Sequence, residues 1–127
     1  MQSIREIITE SVCTVHRDKL VCEVEGIFVT HEISGAPLVD TNGRMVGIIS
    51  KSDIIHFDFT GGDSNEARAW EIASPRVITI DASASVTEAA RKMLAEHIHR
   101  LVVTDGEEIV GVVTALDFVK LVVEADE

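Results

Sequence analysis

Apolar residues along the chain alternate between two spacings, and each change of spacing separates a strand from a helix. Short β-branched runs at Val12–Val15 and Val77–Ile80 are typical of strands. After each run, apolar residues recur every three or four positions, which predicts an amphipathic helix. These positions are Leu20, Val24, Ile27 and Phe28 after the first strand, and Val86, Ala89, Ala90, Met93 and Leu94 after the second.

Each predicted helix is followed by two apolar runs with a short polar turn between them. Ala36–Val39 and Met45–Ile49 flank Asp40–Arg44, and Leu101–Val103 and Ile109–Val113 flank Asp105–Glu107. Asn and Gly in such turns favour β-hairpins. Second helices are predicted over Ser52–Phe57 and Ala115–Glu124. The order β-α-β-β-α therefore occurs twice, which predicts a mixed α+β fold.

The same segments form an internal repeat. Ile33–Asp40 aligns with Ile98–Asp105 at an offset of 65 residues, and Met45–Asp53 aligns with Ile109–Asp117 at an offset of 64. Two repeats are too few for a solenoid. We therefore expect them to pack on each other as a pair with pseudo-two-fold symmetry.

The repeats suggest a division of the chain into three parts. Residues 1–60 are expected to form the first repeat, together with a short N-terminal helix around Ile4–Thr9. Residues 61–73 are predicted to be a linker that begins in a Gly-rich stretch and contains a short helix around Glu66–Ala73. Residues 74–127 form the second repeat. Each short helix stands directly before one repeat.

Composition and charge narrow the class of protein. The 127 residues are 46% hydrophobic and 26% charged, as in an ordinary globular domain. The net charge of −11 repels nucleic acid and anionic membrane surfaces, so neither is an expected partner. With no targeting segment and no apolar run of ~20 residues, the expected location is the cytoplasm. Cys13 and Cys22 are too few for a zinc ribbon, and neither a metal nor a cofactor is expected.

The sharpest shared feature is the motif Gly-h-h-Ser/Thr-x-x-Asp, where h is apolar. It occurs as Gly47, Ser50 and Asp53, and again as Gly111, Thr114 and Asp117. One interpretation is structural, because the hydroxyl and the carboxylate can cap the first turn of a helix. The other is functional: a helix N-terminus favours a phosphate, a carboxylate one turn on can accept both hydroxyls of a ribose, and the glycine lets backbone approach closely. Occurrence in both repeats favours the functional interpretation.

On these motifs the sequence resembles a tandem pair of CBS domains over about residues 8–124. Gly26–Asp40 and Ile98–Val103 are similar to segments of the regulatory γ subunit of AMP-activated protein kinase. The resemblance implies a regulatory module that binds adenosine-type ligands and has no catalytic activity. It also implies two clefts, each lined by the motif of one repeat and the first strand of the other.

For the cleft of the second motif, the resemblance implies a set of contacts. They are Asp117 on the ribose, Thr114 near ribose or phosphate, His99 and Arg100 on phosphate, and Cys13 with its strand neighbours beside the adenine. The first repeat has Ser34 and Gly35 where the second has His99 and Arg100. Tighter binding of a nucleotide phosphate is therefore predicted in the cleft of the second motif.

The mirror cleft is implied to use equivalent residues. They are Asp53 on the ribose, Ser50 and Lys51 toward phosphate, the backbone of Gly35, Ala36 and Pro37 near the base, and Ile78 from the second repeat. Only 4% of the residues are aromatic, so we expect aliphatic side chains such as Ile78 and Val112, without ring stacking, to hold an adenine. The acidic chain favours AMP, ADP or S-adenosylmethionine over ATP.

The leading hypothesis is a regulatory module that senses such a ligand and acts on a protein partner or on its own dimer. The alternative is a non-catalytic interaction module whose clefts hold no ligand. Enzymatic activity is not expected, because no activated nucleophile or oriented acid–base pair is recognisable. The apolar second helices predict a homodimer. Their apolar residues are Ile54, Ile55 and Phe57 in the first, and Phe118, Val119, Leu121, Val122 and Val123 in the second.

Overall fold

The computed structural model describes residues 2–8 and 13–126. A short 3-10 helix at Ile4–Glu6 comes first. It is followed by β1 (Val15–His16), α1 (Val21–His31), β2 (Gly35–Val39), β3 (Met45–Ser50), α2 (Lys51–Phe59) and α3 (Ala69–Ile72). The remaining elements are β4 (Thr79–Asp81), α4 (Val86–Glu96), β5 (Arg100–Asp105), β6 (Glu108–Thr114) and α5 (Ala115–Ala125).

The strands form two sheets of the same design. In order they are β1-β2-β3 and β4-β5-β6, with the first pair parallel and the second antiparallel in each. Both hairpins carry a register shift at the same point, between Leu38 and Val39 and between Val103 and Thr104. The predicted mixed α+β fold and the repeated β-α-β-β-α order are confirmed.

The first strand of each repeat begins later than predicted. β1 is Val15–His16, and Val12 of the predicted strand lies outside the described residues. β4 is Thr79–Asp81 instead of Val77–Ile80. Pairing with the next strand decides these limits, since Val15 lies opposite Leu38 and Thr79 lies opposite Val102. A β-branched run indicates a strand, but its ends depend on the partner strand.

The chain folds into two compact units that do not coincide with the predicted division. The first unit contains residues 13–77, and the second unit contains residues 2–8 and 78–126. The helix expected around Glu66–Ala73 is shorter, Ala69–Ile72, and belongs to the first unit. The helix expected around Ile4–Thr9 is Ile4–Glu6, with Thr9 outside the described residues, and it belongs to the second unit. The N-terminal helix thus lies with the second repeat, and the helix predicted within the linker lies with the first.

Residues 2–8 are fastened to the second unit by backbone and side chain. The Ile4 N–H donates to the carbonyl of Ala84 at 2.8 Å, and the Val86 N–H donates to the carbonyl of Gln2 at 3.0 Å. The Ile4 side chain is fully buried in the core of this unit. The Arg5 guanidinium forms an ion pair with Asp105 in the β5–β6 hairpin. The segment therefore completes the second unit.

The α3 helix does the same for the first unit. Its Ala69 side chain is fully buried, and the Ala69 N–H donates to the carbonyl of Lys19 at 2.7 Å. The Trp70 N–H donates to the carbonyl of Arg17 at 3.1 Å. In the second unit, the Arg5 N–H likewise donates to the carbonyl of Ala82 at 3.2 Å. The contacts around α3 and around Ile4–Glu6 are therefore equivalent.

The second helices divide their apolar residues between core and solvent. In α2, Ile54 is buried and Phe57 packs partly buried against the core, while Ile55 is 62% and Phe59 is 89% exposed. In α5, Phe118 packs against the core of the second unit. Ile54 and Phe57 are three positions apart, so they lie on one face of α2 and both reach the core. The apolar residues of both helices thus serve a core contact and also leave an exposed apolar face, and the homodimer stays a prediction that rests on that exposed face.

Candidate functional site

The motif residues lie where β6 runs into α5 and where β3 runs into α2. In the second unit, the backbone N–H and the hydroxyl of Thr114 donate to Oδ2 of Asp117 at 2.8 and 3.2 Å. In the first unit, the backbone N–H and the hydroxyl of Ser50 donate to Oδ2 of Asp53 at 2.8 and 2.9 Å. The Asp53 N–H donates back to Oγ of Ser50 at 3.3 Å. Both motifs therefore cap a helix, as the structural interpretation predicts.

The cap occupies only one carboxylate oxygen of each aspartate. Among the described residues, none donates a hydrogen bond to Oδ1 of Asp117 or of Asp53. Both aspartates are half-buried at the start of a helix, where the free N–H groups favour negative charge. The cap holds each carboxylate in place and leaves an oxygen that can accept a hydrogen bond from a ligand. The structural and functional interpretations are therefore compatible.

His99 and Arg100 are brought next to the second motif by strand pairing. Arg100 lies directly opposite Thr114 in the β5–β6 ladder. The His99 carbonyl accepts a hydrogen bond from the N–H of Ala115 at 3.0 Å. The His99 residue is exposed and Arg100 is half-buried. Four residues assigned to one site from the sequence thus meet at one end of a single hairpin.

The first unit has the same arrangement with different chemistry. Gly35 lies opposite Ser50 in the β2–β3 ladder, and the Lys51 N–H donates to the Ser34 carbonyl at 2.8 Å. Lys51 is exposed at the first position of α2. Ala36 and Pro37 follow in β2 with buried side chains. Lys51 directly follows Ser50, whereas Ser34 and Gly35 stand where the second unit has His99 and Arg100.

The remaining predicted contacts are divided between the units. Cys13 is a free, half-buried thiol of the first unit, and burial raises its pKa. Ile78 is half-buried against the core of the second unit, and Val112 is half-buried on β6 opposite Val102. Cys13 and Ile78 were each assigned to the motif of the other repeat. Their contact with a ligand stays a prediction.

The glycine of each motif lies against a distant segment of the same chain. A Cβ atom at Gly47 would lie 2.8 Å from the carbonyl oxygen of Ser74. Ser74 forms a two-hydrogen-bond bridge to Ile48, with both N···O distances 2.9 Å. At Gly111 a Cβ atom would lie 3.0 Å from the side chain of Ile8. Each glycine therefore admits a distant segment of the same chain. The sequence carried no signal for Ser74 or Ile8.

Gly47→Ala is expected to destabilise the protein by about 1–3 kcal/mol, because backbone at Ser74 must shift to admit the methyl group. The matched control is Gly26→Ala in α1, where nothing lies within 4 Å of the added Cβ. Gly26→Ala should stabilise the protein by about 0.5–1 kcal/mol through helix propensity. Urea unfolding measures both, and equal effects of the two substitutions would contradict the close approach at Gly47.

Two α+β units, each with a capped Ser/Thr-x-x-Asp motif at the end of a hairpin, are the features of a tandem regulatory module. A family model of the CBS domain matches residues 4–59 and again residues 69–124. The chain belongs to the CBS domain family, as its motifs predicted. A CBS domain pair is a regulatory module without catalytic activity.

Curated relatives match over nearly the whole chain. An uncharacterised protein of Methanocaldococcus jannaschii is 28% identical over 120 residues, which are 94% of this chain and 42% of that protein. Hypoxic response protein 1 of Mycobacterium tuberculosis is 26% identical over 121 residues, with 94% of this chain and 85% of that protein covered. The chain spans only 22% of another relative, the inosine-5'-monophosphate dehydrogenase of M. jannaschii.

Solved structures have the same fold. The CBS domain pair of protein MJ0100, in complex with 5'-methylthioadenosine and S-adenosyl-L-methionine, superposes with a TM-score of 0.88 at 28% identity, with 98% of both chains covered. The CBS domain of a membrane protein from Sphaerobacter thermophilus gives a TM-score of 0.82 at 30% identity, with 95% of this chain and 88% of that chain covered. Within residues 2–8 and 13–126, no helix is long and apolar enough to cross a membrane.

Proposed function

We propose that this CBS domain pair binds an adenosine-type ligand at the start of α5 and acts as a regulatory sensor of it. The observation that carries the proposal is the geometry of Asp117. Its Oδ2 is held by the backbone N–H and the hydroxyl of Thr114, while no described residue donates to its Oδ1. A fixed carboxylate oxygen at a helix N-terminus suits a ribose hydroxyl.

The neighbouring structure supports the ligand class. The CBS domain pair of MJ0100 is 28% identical over 98% of this chain and holds 5'-methylthioadenosine and S-adenosyl-L-methionine. The two ligands share an adenosine and differ in charge. In this chain, Asp117 would bind the ribose of the adenosine that both ligands contain.

The cations beside the motif and the net charge of the chain support a ligand with few phosphates. Arg100 lies opposite Thr114, and His99 directly precedes Arg100 in the chain. The whole chain carries a net charge of −11, which disfavours a polyanion. We therefore propose AMP, ADP or S-adenosylmethionine as the ligand, in preference to ATP.

A thermal-shift panel tests the proposal. It contains AMP, ADP, ATP, S-adenosylmethionine, 5'-methylthioadenosine and GMP, and calorimetry follows on the best ligand. A ligand present at 100 times its dissociation constant adds about 2.7 kcal/mol of stability. An adenosine compound should raise Tm clearly and GMP should not. A flat response across the panel would reject the proposal and favour an interaction module whose clefts hold no ligand.

We also propose that the protein is a homodimer. The same face of α2 and of α5 leaves apolar side chains in solvent: Ile55 (62%) and Phe59 (89%) correspond to Val119 (54%) and Val123 (55%) in the repeat. Leu94, Leu116 and Val122 add exposed apolar surface in the second unit. A second copy of the chain offers the same apolar face, and equal faces form isologous contacts.

Val119→Asp is expected to convert a dimer into a monomer, because the charge would be buried in an apolar interface. Light scattering on a size-exclusion column measures the mass at micromolar concentration. Thr87→Asp on α4 is the matched control, since Thr87 is already exposed in a polar stretch. A wild-type monomer would contradict the dimer proposal and leave the ligand proposal intact.

A further inference from the structure

The first unit contains a small pocket at the opposite end of β3 from Ser50. Its volume is about 220 Å³. Its lining includes Arg17, Leu38, Val46, Trp70, Ser74 and Pro75. Val46 stands near the start of β3, whereas Ser50 ends that strand. This pocket is therefore separate from the helix N-terminus to which the proposed function assigns a ligand.

Arg17 and Trp70 give the pocket its chemistry. The Arg17 guanidinium carbon lies over the Trp70 ring, 5.6 Å from the ring centroid. Among the described residues, no carboxylate forms an ion pair with Arg17, although 22 of the 127 residues are acidic. Trp70 remains 49% exposed. A cation is thus oriented by an indole ring without being neutralised.

The second unit shows that the fold does not require this pair. In the second unit, Ala82 stands at the position of Arg17 in the first unit. Likewise, Arg5 stands at the position of Trp70. The backbone contact is the same in both, since the Arg5 N–H donates to the Ala82 carbonyl. The side chain of Arg5, however, is paired with Asp105. Among the described residues, the equivalent position of the second unit therefore holds an internal ion pair in place of a cation beside an aromatic ring.

We propose that this pocket binds a carboxylate that carries an apolar group. The Arg17 guanidinium supplies two parallel donors for a carboxylate. The side chains of Val46 and Pro75 supply apolar surface beside it, above the buried Leu38, in a volume of about 220 Å³ that suits a single side chain. Such a group occurs in a free organic acid and at the C-terminus of a peptide.

Fluorescence tests the proposal directly, because Trp70 is the only tryptophan and the chain has no tyrosine. The probes are N-acetyl-L-phenylalanine and its primary amide, which differ mainly in the negative charge. For a ligand of about 15 non-hydrogen atoms, a dissociation constant on the order of 1 mM is expected. The acid should change the emission of Trp70 in a saturable way, and the amide should bind at least about tenfold more weakly.

Variants of the two units separate the pocket from general charge effects. Arg17→Gln should weaken the acid about tenfold, and Arg17→Lys should weaken it less. Arg5→Gln is the control: it removes an arginine of the second unit, at the position equivalent to Trp70, and it should leave binding unchanged. Circular dichroism and urea unfolding confirm that each variant is folded. Equal binding of acid and amide, or no effect of Arg17→Gln, would overturn the proposal.

A second pair of probes identifies the source of the carboxylate. A hexapeptide ending in a free phenylalanine carboxylate is compared with the same peptide amidated at its C-terminus. Tighter binding of the free peptide than of N-acetyl-L-phenylalanine supports a protein C-terminus, and equal binding supports a small organic acid. If none of the carboxylate probes changes the fluorescence of Trp70 at concentrations up to about 10 mM, the site is rejected. AMP binding at Asp117 would be unaffected by that result.

Discussion

Asp117→Ala is expected to weaken binding of the adenosine ligand by about 10- to 100-fold, because the hydrogen bond from a ribose hydroxyl to the charged Oδ1 is lost. Asp53→Ala is expected to leave most of the binding in place. The two substitutions remove equivalent caps, since each aspartate accepts from a backbone N–H at 2.8 Å. Their effects on stability should therefore be similar, about 0.5–2 kcal/mol each. Calorimetry measures the affinities, and thermal unfolding measures the loss of stability in each variant.

Arg100→Ala extends the same experiment to the phosphate. For AMP it should reduce affinity about as much as Asp117→Ala does, because Arg100 is the cation opposite Thr114. For 5'-methylthioadenosine, which has no phosphate, its effect should be much smaller. If Asp53→Ala abolished binding and Asp117→Ala left it intact, the first motif would hold the tighter site. Loss of binding in both variants would mean that two ligands bind with coupled affinities.

Ile4→Ala is expected to destabilise the protein by about 3 kcal/mol, within the range for a large-to-small change in a core. Ile4 is fully buried beside Ala82, Leu101 and Val113 of the second unit. The backbone around it is held by hydrogen bonds to the carbonyls of Ala84 and Ala82, so collapse around the cavity is restricted. Urea unfolding should show a lower midpoint with an unchanged slope.

The control for Ile4→Ala is Ile55→Ala. Ile55 is 62% exposed in α2, so the loss of its side chain should cost less than about 0.5 kcal/mol if it has no partner. A destabilisation by Ile4→Ala no larger than that of Ile55→Ala would show that residues 2–8 do not complete the second unit. A large effect of Ile55→Ala that depends on protein concentration would instead support the proposed homodimer.

The hairpins and the two helix caps were predictable because their causes are local. Asp40 accepts hydrogen bonds from the N–H groups of Asn42 and Arg44 at 2.9 Å, all within one turn. The Thr114–Asp117 cap likewise spans three residues. The placement of Arg100 opposite Thr114 followed from the hairpin itself. Local hydrogen bonding and turn chemistry thus define four residues of the candidate site before any tertiary contact forms.

The roles of Gly47 and Gly111 were not predictable in the same way. Each glycine could admit a ligand, a distant strand or a side chain, and the local sequence is the same in all three cases. The structure brings Ser74 to Gly47 and Ile8 to Gly111. Both neighbours come from segments that lie far away along the chain. The exposure of Ile55 and Phe59 could not be predicted from the sequence either, because α2 has apolar residues on more than one face.

By itself, the sequence determined the order of the elements, the internal repeat, the hairpin turns and the capped Ser/Thr-x-x-Asp motifs. These features depend on interactions between residues a few positions apart and on the spacing of apolar side chains. Only the tertiary structure decided that residues 2–8 complete the second unit and that Arg17 meets Trp70. Contacts between distant segments are selected by the burial of side chains such as Ile4 in a particular core, and no local pattern specifies which core that is.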